Sequence, residues 1–505
     1  MVKTLGICAP RRETMLQDHP LYTIMHPRSL AIAGASNDFS KMGTIQLVNL
    51  VGGGYPGKIY PIHPQEETVF GLKAYRTGRD LPEAVDLAIL TIPTPAVPEV
   101  LKDLGERGVK RAIVISGGFK ETGGRGRELE AEILGIAREY GIRFLGPNCI
   151  GVIHPSFHLN PTMYPYLHKF GGVGIASQSG TYVTQILPYL AKLQIGFSQA
   201  FSVGNGADLD LVDCLGYLAE DPETKAIAVY IEGIKRPRDF IRAASKATQA
   251  KPVVALYVGG TEAGSRSAAS HTGSISGPDH LYDALFRQAG VIRASTVEDL
   301  FEWAGALSLQ PIPKGRNMAI LTHSGGPASS LADACNRWGL SVPLFSERLQ
   351  ARVRELLPAT GSFRNPVDLT FFMDMGVMME KLPRIILEDP GIDGLLMHGV
   401  MGSTFFRSVS EIARKWIKVP SYEQVRDFFL GTMDAFIKLP QQYGKPVIAS
   451  SFADREDDAV KIAQDSGIPC FRAPERAVSA MAALCRYGEI RKRTENKCWC
   501  QGEGE

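Results

Sequence analysis

Val173-Gly-Ile-Ala-Ser-Gln-Ser-Gly180 is a short apolar run closing in small and hydroxylated residues, the pattern of a buried strand that turns into a helix. The same opening stands upstream as Leu30-Ala-Ile-Ala-Gly-Ala-Ser36 and downstream as Met318-Ala-Ile-Leu-Thr-His-Ser-Gly-Gly326. Ile32 and Ile175 are 143 residues apart, and Ile175 and Ile320 are 145 apart. Each interval is one ordinary domain length, so the 505 residues divide into three α/β units with mostly parallel sheets. The expected division is an extension at 1–22, units at 23–150, 151–306 and 307–489, and a polar tail at 490–505.

The second and third units echo each other beyond this opening. Lys251-Pro-Val-Val returns as Lys445-Pro-Val-Ile, and Arg293-Ala returns as Arg472-Ala, each time ahead of a helix. Two copies of one doubly wound fold are expected. From Lys251 to Arg293 is 42 residues, against 27 from Lys445 to Arg472. The surplus falls on 261–277, a Gly-, Ser- and Ala-rich stretch with little apolar surface to bury, which marks it as a functional loop or a disordered one. The third unit has its own extra length at 403–439, rich in aromatic and basic residues and expected to be helical.

Composition narrows the function classes. Lys+Arg is 55 and Asp+Glu is 53, a balance that argues against a nucleic-acid binder relying on bulk charge. No apolar stretch reaches bilayer-spanning length and the first dozen residues do not form a secretory signal, so a cytoplasmic protein without a membrane role is expected. Six of the eight cysteines (Cys8, Cys149, Cys214, Cys335, Cys470 and Cys485) lack metal-ligand spacing and are expected to be reduced thiols, while Cys498 and Cys500 form a C-x-C in the tail with no further Cys or His nearby to complete a site. No H-x-x-H or H-E-x-x-H occurs, and no protein-bound metal is expected.

Several residues are candidates for chemistry. Gly34-Ala35-Ser36 allows close backbone approach ahead of a helix and suits a phosphate. Lys58-Ile-Tyr-Pro-Ile-His-Pro64 offers no acidic residue for a ribose, whereas Lys41 and Lys58 would suit a further phosphate. Ser177, Gln178, Ser179, Gly180 and Thr181 open the second unit's helix with hydroxyls and free N–H groups, an anion site or an ordinary helix cap. His271 sits among Ser, Ala, Thr and Gly rather than on an apolar face, either a surface-loop histidine or a reactive one. Glu232 follows the buried run 226–231, where a carboxylate could orient an imidazole and leave its other nitrogen as nucleophile, or be a solvated neighbour of Lys235 and Arg236.

Eight motifs in order then carry a resemblance over about residues 23 to 487. They are His26-Pro-Arg-Ser-Leu-Ala-Ile-Ala-Gly-Ala-Ser36, Leu145-Gly-Pro-Asn-Cys-Ile-Gly151, Ile175-Ala-Ser-Gln-Ser-Gly180, Ser202-Val-Gly-Asn205, Tyr230-Ile-Glu-Gly-Ile234, Ser270-His-Thr-Gly-Ser274, Ser324-Gly-Gly-Pro327 and Asn365-Pro-Val-Asp-Leu369. With these the chain resembles the NDP-forming acyl-CoA synthetases of the succinyl-CoA synthetase superfamily, and within them the α subunit of ADP-forming acyl-CoA ligase. The resemblance implies a Rossmann-like CoA-binding domain followed by two flavodoxin-like domains. It implies His271 as a phosphohistidine relay with Glu232 orienting it, and Ser177 to Thr181 as the phosphate site. It further implies CoA at Gly34, Ala35, Ser36, Lys41, Lys58 and Pro64, and an acyl pocket at Asn148, Asn205 and Gly273.

The same resemblance implies reversible chemistry, in which acyl-CoA, ADP and phosphate exchange with carboxylic acid, CoA and ATP through an acyl phosphate. The family's ATP-grasp nucleotide domain has no unit left to occupy, so it is expected on a separate β subunit, with Mg²⁺ arriving on the nucleotide and an α₂β₂ assembly. Two other readings compete: a CoA- or acyl-CoA-binding protein without turnover, and a Rossmann oxidoreductase, against which the missing dinucleotide fingerprint speaks.

Overall fold

Short apolar runs bracketed by glycine and polar turns pair side by side into three sheets. A computed structural model describes residues 16–165, 170–266, 277–370, 372, 374–399, 403–453 and 455–501. The first sheet is built from β1 (Ser29–Ala33), β2 (Lys58–Ile62), β5 (Leu87–Leu90), β6 (Arg111–Val114) and β7 (Arg143–Leu145), with the hairpin β3 (Thr68–Val69) and β4 (Leu72–Lys73) forming a separate pair. The second sheet takes β8 (Val152–Ile153), β9 (Phe170–Ser177), β10 (Phe197–Ser202), β11 (Ala226–Ile231), β12 (Val253–Tyr257) and β13 (Ile292–Ala294). The third takes β14 (Met318–Thr322), β15 (Val367–Asp368), β16 (Gly394–His398), β17 (Val447–Ser450) and β18 (Cys470–Phe471).

All pairings within these sheets are parallel except β8 on β10. The spatial orders are β2-β1-β5-β6-β7, β13-β12-β11-β9-β10-β8 and β15-β14-β16-β17-β18. With β8 set aside, each is the same doubly wound order, in which the chain first adds a strand on one side and then crosses to the other. The crossing points lie between β1 and β5, β9 and β11, and β14 and β16. In such sheets ligands sit at the carboxyl ends of the strands beside that crossing.

The fold is α/β throughout, as the spacing of the three openings implied, and the echo between the second and third units is a shared topology. Their helices Val297–Leu309 and Pro474–Gln501 pack together, and Leu300, Phe301, Ala304, Met481 and Leu484 belong to one core that bridges both sheets. Arg476 binds Asp299 (2.7 Å) and Glu302 (2.8 Å) across this seam, and the Trp303 indole N–H donates to Ser479 Oγ at 3.3 Å.

Three segments differ from the sequence expectation. Leu21 of the expected extension, with Ile24 and Met25 just beyond it on the helix Pro20–Met25, is completely buried, because their i, i+3, i+4 spacing gives that short helix a core-facing side. Residues 490–501 continue the last helix, and Ile490 packs against the shared core while Glu489 pairs with Arg316 at 2.6 Å. The stretch after Ser179 is a 3-10 turn, Gly180–Tyr182, and the α-helix begins only at Leu187 and ends at Lys192. There the Thr184 hydroxyl donates to Gly180 O (3.1 Å), and β-branched residues at 181, 183 and 184 hold the tighter turn.

The turn Gly204 shows how closely the first two units dock. Its φ is +52°, and an added Cβ would stand 2.3 Å from Asn148 O. Gly204→Ala is therefore expected to cost about 2 kcal/mol or more of stability, read from urea unfolding.

Candidate functional site

The crossing point of the second sheet is held by one amide. Gln178, the first residue beyond β9, reaches across to the peptide beyond β11. Its Oε1 accepts the N–H groups of Glu232 (2.6 Å) and Gly233 (3.0 Å), and its Nε2 donates to Gly233 O at 2.9 Å. Glu232 is thereby fixed at the carboxyl edge of the sheet, 5% exposed. Gln178→Ala would free this peptide and leave buried N–H groups unpaired, so a loss of about 2 kcal/mol is expected in thermal unfolding.

Ser177 is spent within the turn: its hydroxyl donates to Ser179 O (2.7 Å) and accepts the Ser179 N–H (3.1 Å). Ser177, Gln178 and Ser179 are buried, while Thr181 is exposed. With a six-residue α-helix starting at Leu187, the helix dipole imagined for 177–181 gives way to a 3-10 turn, and Gly180 and Thr181 are the accessible part.

His271 and Gly273 lie outside the described residues. The ends of their loop are nevertheless tied down. Tyr257, the last residue of β12, pairs in register with Ile231, and its hydroxyl donates to Gly277 O (2.7 Å) and accepts the Gly277 N–H (3.1 Å). The Tyr257 and Tyr282 rings stack at 3.5 Å, and the Tyr282 hydroxyl accepts the Ile234 N–H at 3.1 Å. The described ends of the loop thus lie at the end of β12, the strand next to the one that Glu232 follows, before the chain enters the helix Asp279–Ala289.

Asn148 and Asn205 are brought together where the first unit meets the second. Asn148 Nδ2 donates to Asn205 Oδ1 (3.3 Å), and Asn205 Nδ2 donates to Glu121 (2.6 Å) and Glu130 (2.9 Å). Lys235 turns inward beneath them, donating to Asn205 O (2.5 Å) and Gly206 O (3.0 Å), and burial lowers its pKa. Sequence reading missed Glu121 and Glu130 and left Lys235 as a mere neighbour, since nothing local signals a partner 75 or more residues away. Asn205→Asp would set a third carboxylate against Glu121 and Glu130. A stability loss of about 1–3 kcal/mol is expected at pH 7, relieved as pH falls through the carboxylate range.

In the first unit the Gly34 turn is tight. Its φ is +104°, an added Cβ would stand 2.1 Å from Thr91 O, and Ser36 and Thr44 exchange hydrogen bonds of 3.0 and 2.9 Å. Gly34, Ala35 and Ser36 lie at the carboxyl edge, followed by Lys41, an exposed residue that caps the helix Met42–Gly52 by position only. Pro64 follows β2 at the same edge. Lys58 does not join them: it starts β2, pairs in register with Ser29 at the opposite edge, and is bound to Glu83 at 3.2 Å. Its place at the N-terminal end of a parallel strand takes it a strand length from the turn.

The third crossing point holds two histidines. His323 follows β14 and His398 ends β16, and burial lowers both from the usual 6.5 to about 4. The unfolded chain therefore binds more protons between these values, so stability is expected to fall as pH drops from 6.5 toward 4, by up to roughly 3 kcal/mol per imidazole. Unfolding curves at pH 7 and 5 check this, with a flatter dependence expected for His398→Gln.

Among the described residues no helix is long and apolar enough to cross a membrane. Residues 28–155 match the model of a CoA binding domain, and 170–307 that of a succinyl-CoA ligase like flavodoxin domain. The chain is 39% identical to the α subunit of ADP-forming acetate–CoA ligase II of Pyrococcus furiosus over 466 residues, which cover 92% of this chain and 97% of that subunit. It is 35% identical to the ADP-forming acetate–CoA ligase I of Archaeoglobus fulgidus, covering 92% of this chain but 64% of that longer one. A solved structure of a dinucleotide-forming acetyl-coenzyme A synthetase 1 from Ca. Korarchaeum cryptofilum, in complex with phosphate and ADP, superimposes with a TM-score of 0.82 at 35% identity, over 94% of this chain and 98% of that one. These likenesses favour the catalytic reading over that of a coenzyme-binding protein without turnover, and the chain belongs to the ADP-forming acyl-CoA ligases, as an α-type subunit.

Proposed function

We propose that this subunit converts acyl-CoA and phosphate to an acyl phosphate and CoA, and then carries the phosphoryl group on His271 to ADP held by another chain. In the first step a phosphate oxygen attacks the thioester carbonyl and CoA leaves as thiolate. In the second His271 attacks the acyl phosphate at phosphorus and the carboxylate leaves; in the third ADP takes the phosphoryl group. All steps run in reverse to make acyl-CoA from acid, CoA and ATP. A phosphoramidate keeps its transfer potential while it moves, and a Gly/Ser-rich loop provides the reach.

One observation carries this reading: the His271 loop is anchored at Tyr257, one strand from the buried, clamped Glu232. Glu232 orients the imidazole, and Gly180, Thr181 and neighbouring N–H groups receive the phosphoryl group. CoA lies along Gly34, Ala35, Ser36, Lys41 and Pro64. Asn148 and Asn205 with Gly273 border the reacting carbonyl. The nucleotide and its Mg²⁺ belong to an ATP-grasp β subunit in an α₂β₂ assembly, supported by the 97% coverage of a relative that is itself named an α subunit.

The test is reconstitution. Chain plus its β partner, with acid, CoA, ATP and Mg²⁺, is expected to yield acyl-CoA, ADP and phosphate in equal amounts. Formation of AMP and pyrophosphate, or turnover by this chain without a partner, would refute the proposal.

A further inference from the structure

The carboxyl edges of the first two sheets meet at a short chain of polar side chains. Ser116 and the turn Lys120–Thr122 follow β6, Asn148 follows β7, and Asn205 follows β10. Their backbones interlock: Asn148 N–H donates to Ser116 O and Asn205 N–H to Pro147 O, both at 2.9 Å. In the reading above, CoA lies at the first edge and the phosphoryl group at the second. A thioester carbon attacked by phosphate has to be reached from both, and the two edges join here.

One carboxylate decides how the amides at this junction point. Glu121 Oε1 accepts the N–H groups of Gly118 (2.6 Å) and Phe119 (3.1 Å), and its Oε2 accepts Asn205 Nδ2 at 2.6 Å. Glu130, buried on the helix Gly124–Tyr140, accepts from the same nitrogen at 2.9 Å. An amide nitrogen carries two hydrogens, and here each goes to one carboxylate. The Asn205 oxygen is therefore turned to Asn148, whose Nδ2 donates to it at 3.3 Å. Lys235 holds the backbone of the same residue by donating to Asn205 O. Asn205 is 3% exposed and has no other partners to turn to. The constraint passes on: Asn148 has to present its nitrogen, and among the described residues nothing accepts the second N–H. Asn148 is half-buried, so that N–H is open to a ligand.

We propose that Glu121 is a positioning residue for acyl transfer, fixing through Asn205 the Asn148 N–H that meets the thioester's carbonyl oxygen. This rests on the ligase reading above. As a phosphate oxygen bonds the carbonyl carbon, charge gathers on the carbonyl oxygen; it returns as the C–S bond breaks and CoA leaves as thiolate. A donor already aimed at that oxygen stabilises the charge as it develops, so its loss falls on kcat more than on KM. Glu121 itself touches no substrate. A glutamine in its place cannot serve all three bonds: with its oxygen kept by Gly118 and Phe119, its NH₂ faces the NH₂ of Asn205. Asn205 then turns over, Asn148 follows, and the donor leaves its place.

The test uses the enzyme assembled with its β partner and two readouts: acyl phosphate formed from acetyl-CoA and phosphate, and phosphoenzyme formed from γ-labelled ATP. Glu121→Gln is expected to lower kcat of the first about thirtyfold or more, with the KM for acetyl-CoA and the rate of the second each held within about threefold. The triple variant Glu121→Gln, Glu130→Gln, Asn205→Asp inverts donor and acceptor in both carboxylate bonds yet leaves Asn148 the donor. It is expected to regain about tenfold of the lost kcat. Equal losses in both reactions, a change in KM alone, or an unaffected kcat for Glu121→Gln would overturn the proposal. So would a triple variant that forms phosphoenzyme normally and regains nothing; should it not fold, the single variant decides. If wild type forms neither acyl phosphate nor phosphoenzyme, the ligase reading fails, whereas an active wild type with any of the overturning results defeats the positioning role alone.

Discussion

His271→Ala is expected to lower ATP-dependent acyl-CoA synthesis by roughly a thousandfold or more, because it removes the carrier that connects two separated reactions. Acyl phosphate formation from acyl-CoA and phosphate does not pass through the imidazole, and should survive within about tenfold. The split between these two activities is the informative result. A general folding defect would depress both. An imidazole that only bound phosphate would weaken the phosphate-dependent half as strongly as the whole. Parallel assays of the two reactions on one preparation distinguish these outcomes, and equal losses would contradict a relay.

Glu232→Gln is expected to slow phosphoenzyme formation by about 10²- to 10⁴-fold, the range open to a carboxylate that orients and stabilises a reacting imidazole. The substitution keeps the volume of a side chain that is 5% exposed, and the clamp by Gln178 holds the backbone N–H rather than the carboxylate. Little loss of fold stability should accompany the rate effect. Rapid-quench measurement of phosphoenzyme formation across pH checks the role: the carboxylate's removal should shift the imidazole limb to lower pH, since an adjacent negative charge favours the protonated ring. An unchanged rate and limb would reduce Glu232 to a packing residue.

The fold was legible because the three strand-to-helix openings repeat at one domain length, and a parallel strand buried on both faces writes an apolar run that periodicity can find. Glu232 was legible for the same reason, as the residue just past such a run. Asn205 with Glu121 and Glu130 was not, because their bonds join distant parts of the sequence. Lys58 misled because a lysine near a phosphate turn in sequence can start a strand rather than end one, and the parallel register with Ser29 sends it to the far edge. The Ser177 hydroxyl looked like a ligand group but closes its own turn.

Phosphopeptide mapping after a short exposure of the assembled enzyme to γ-labelled ATP addresses the relay most directly. Acid-labile label on the peptide containing His271, discharged by ADP as fast as the enzyme turns over, is the predicted result. Steady acyl-CoA production with this chain unlabelled, or with label elsewhere on it, would contradict the account.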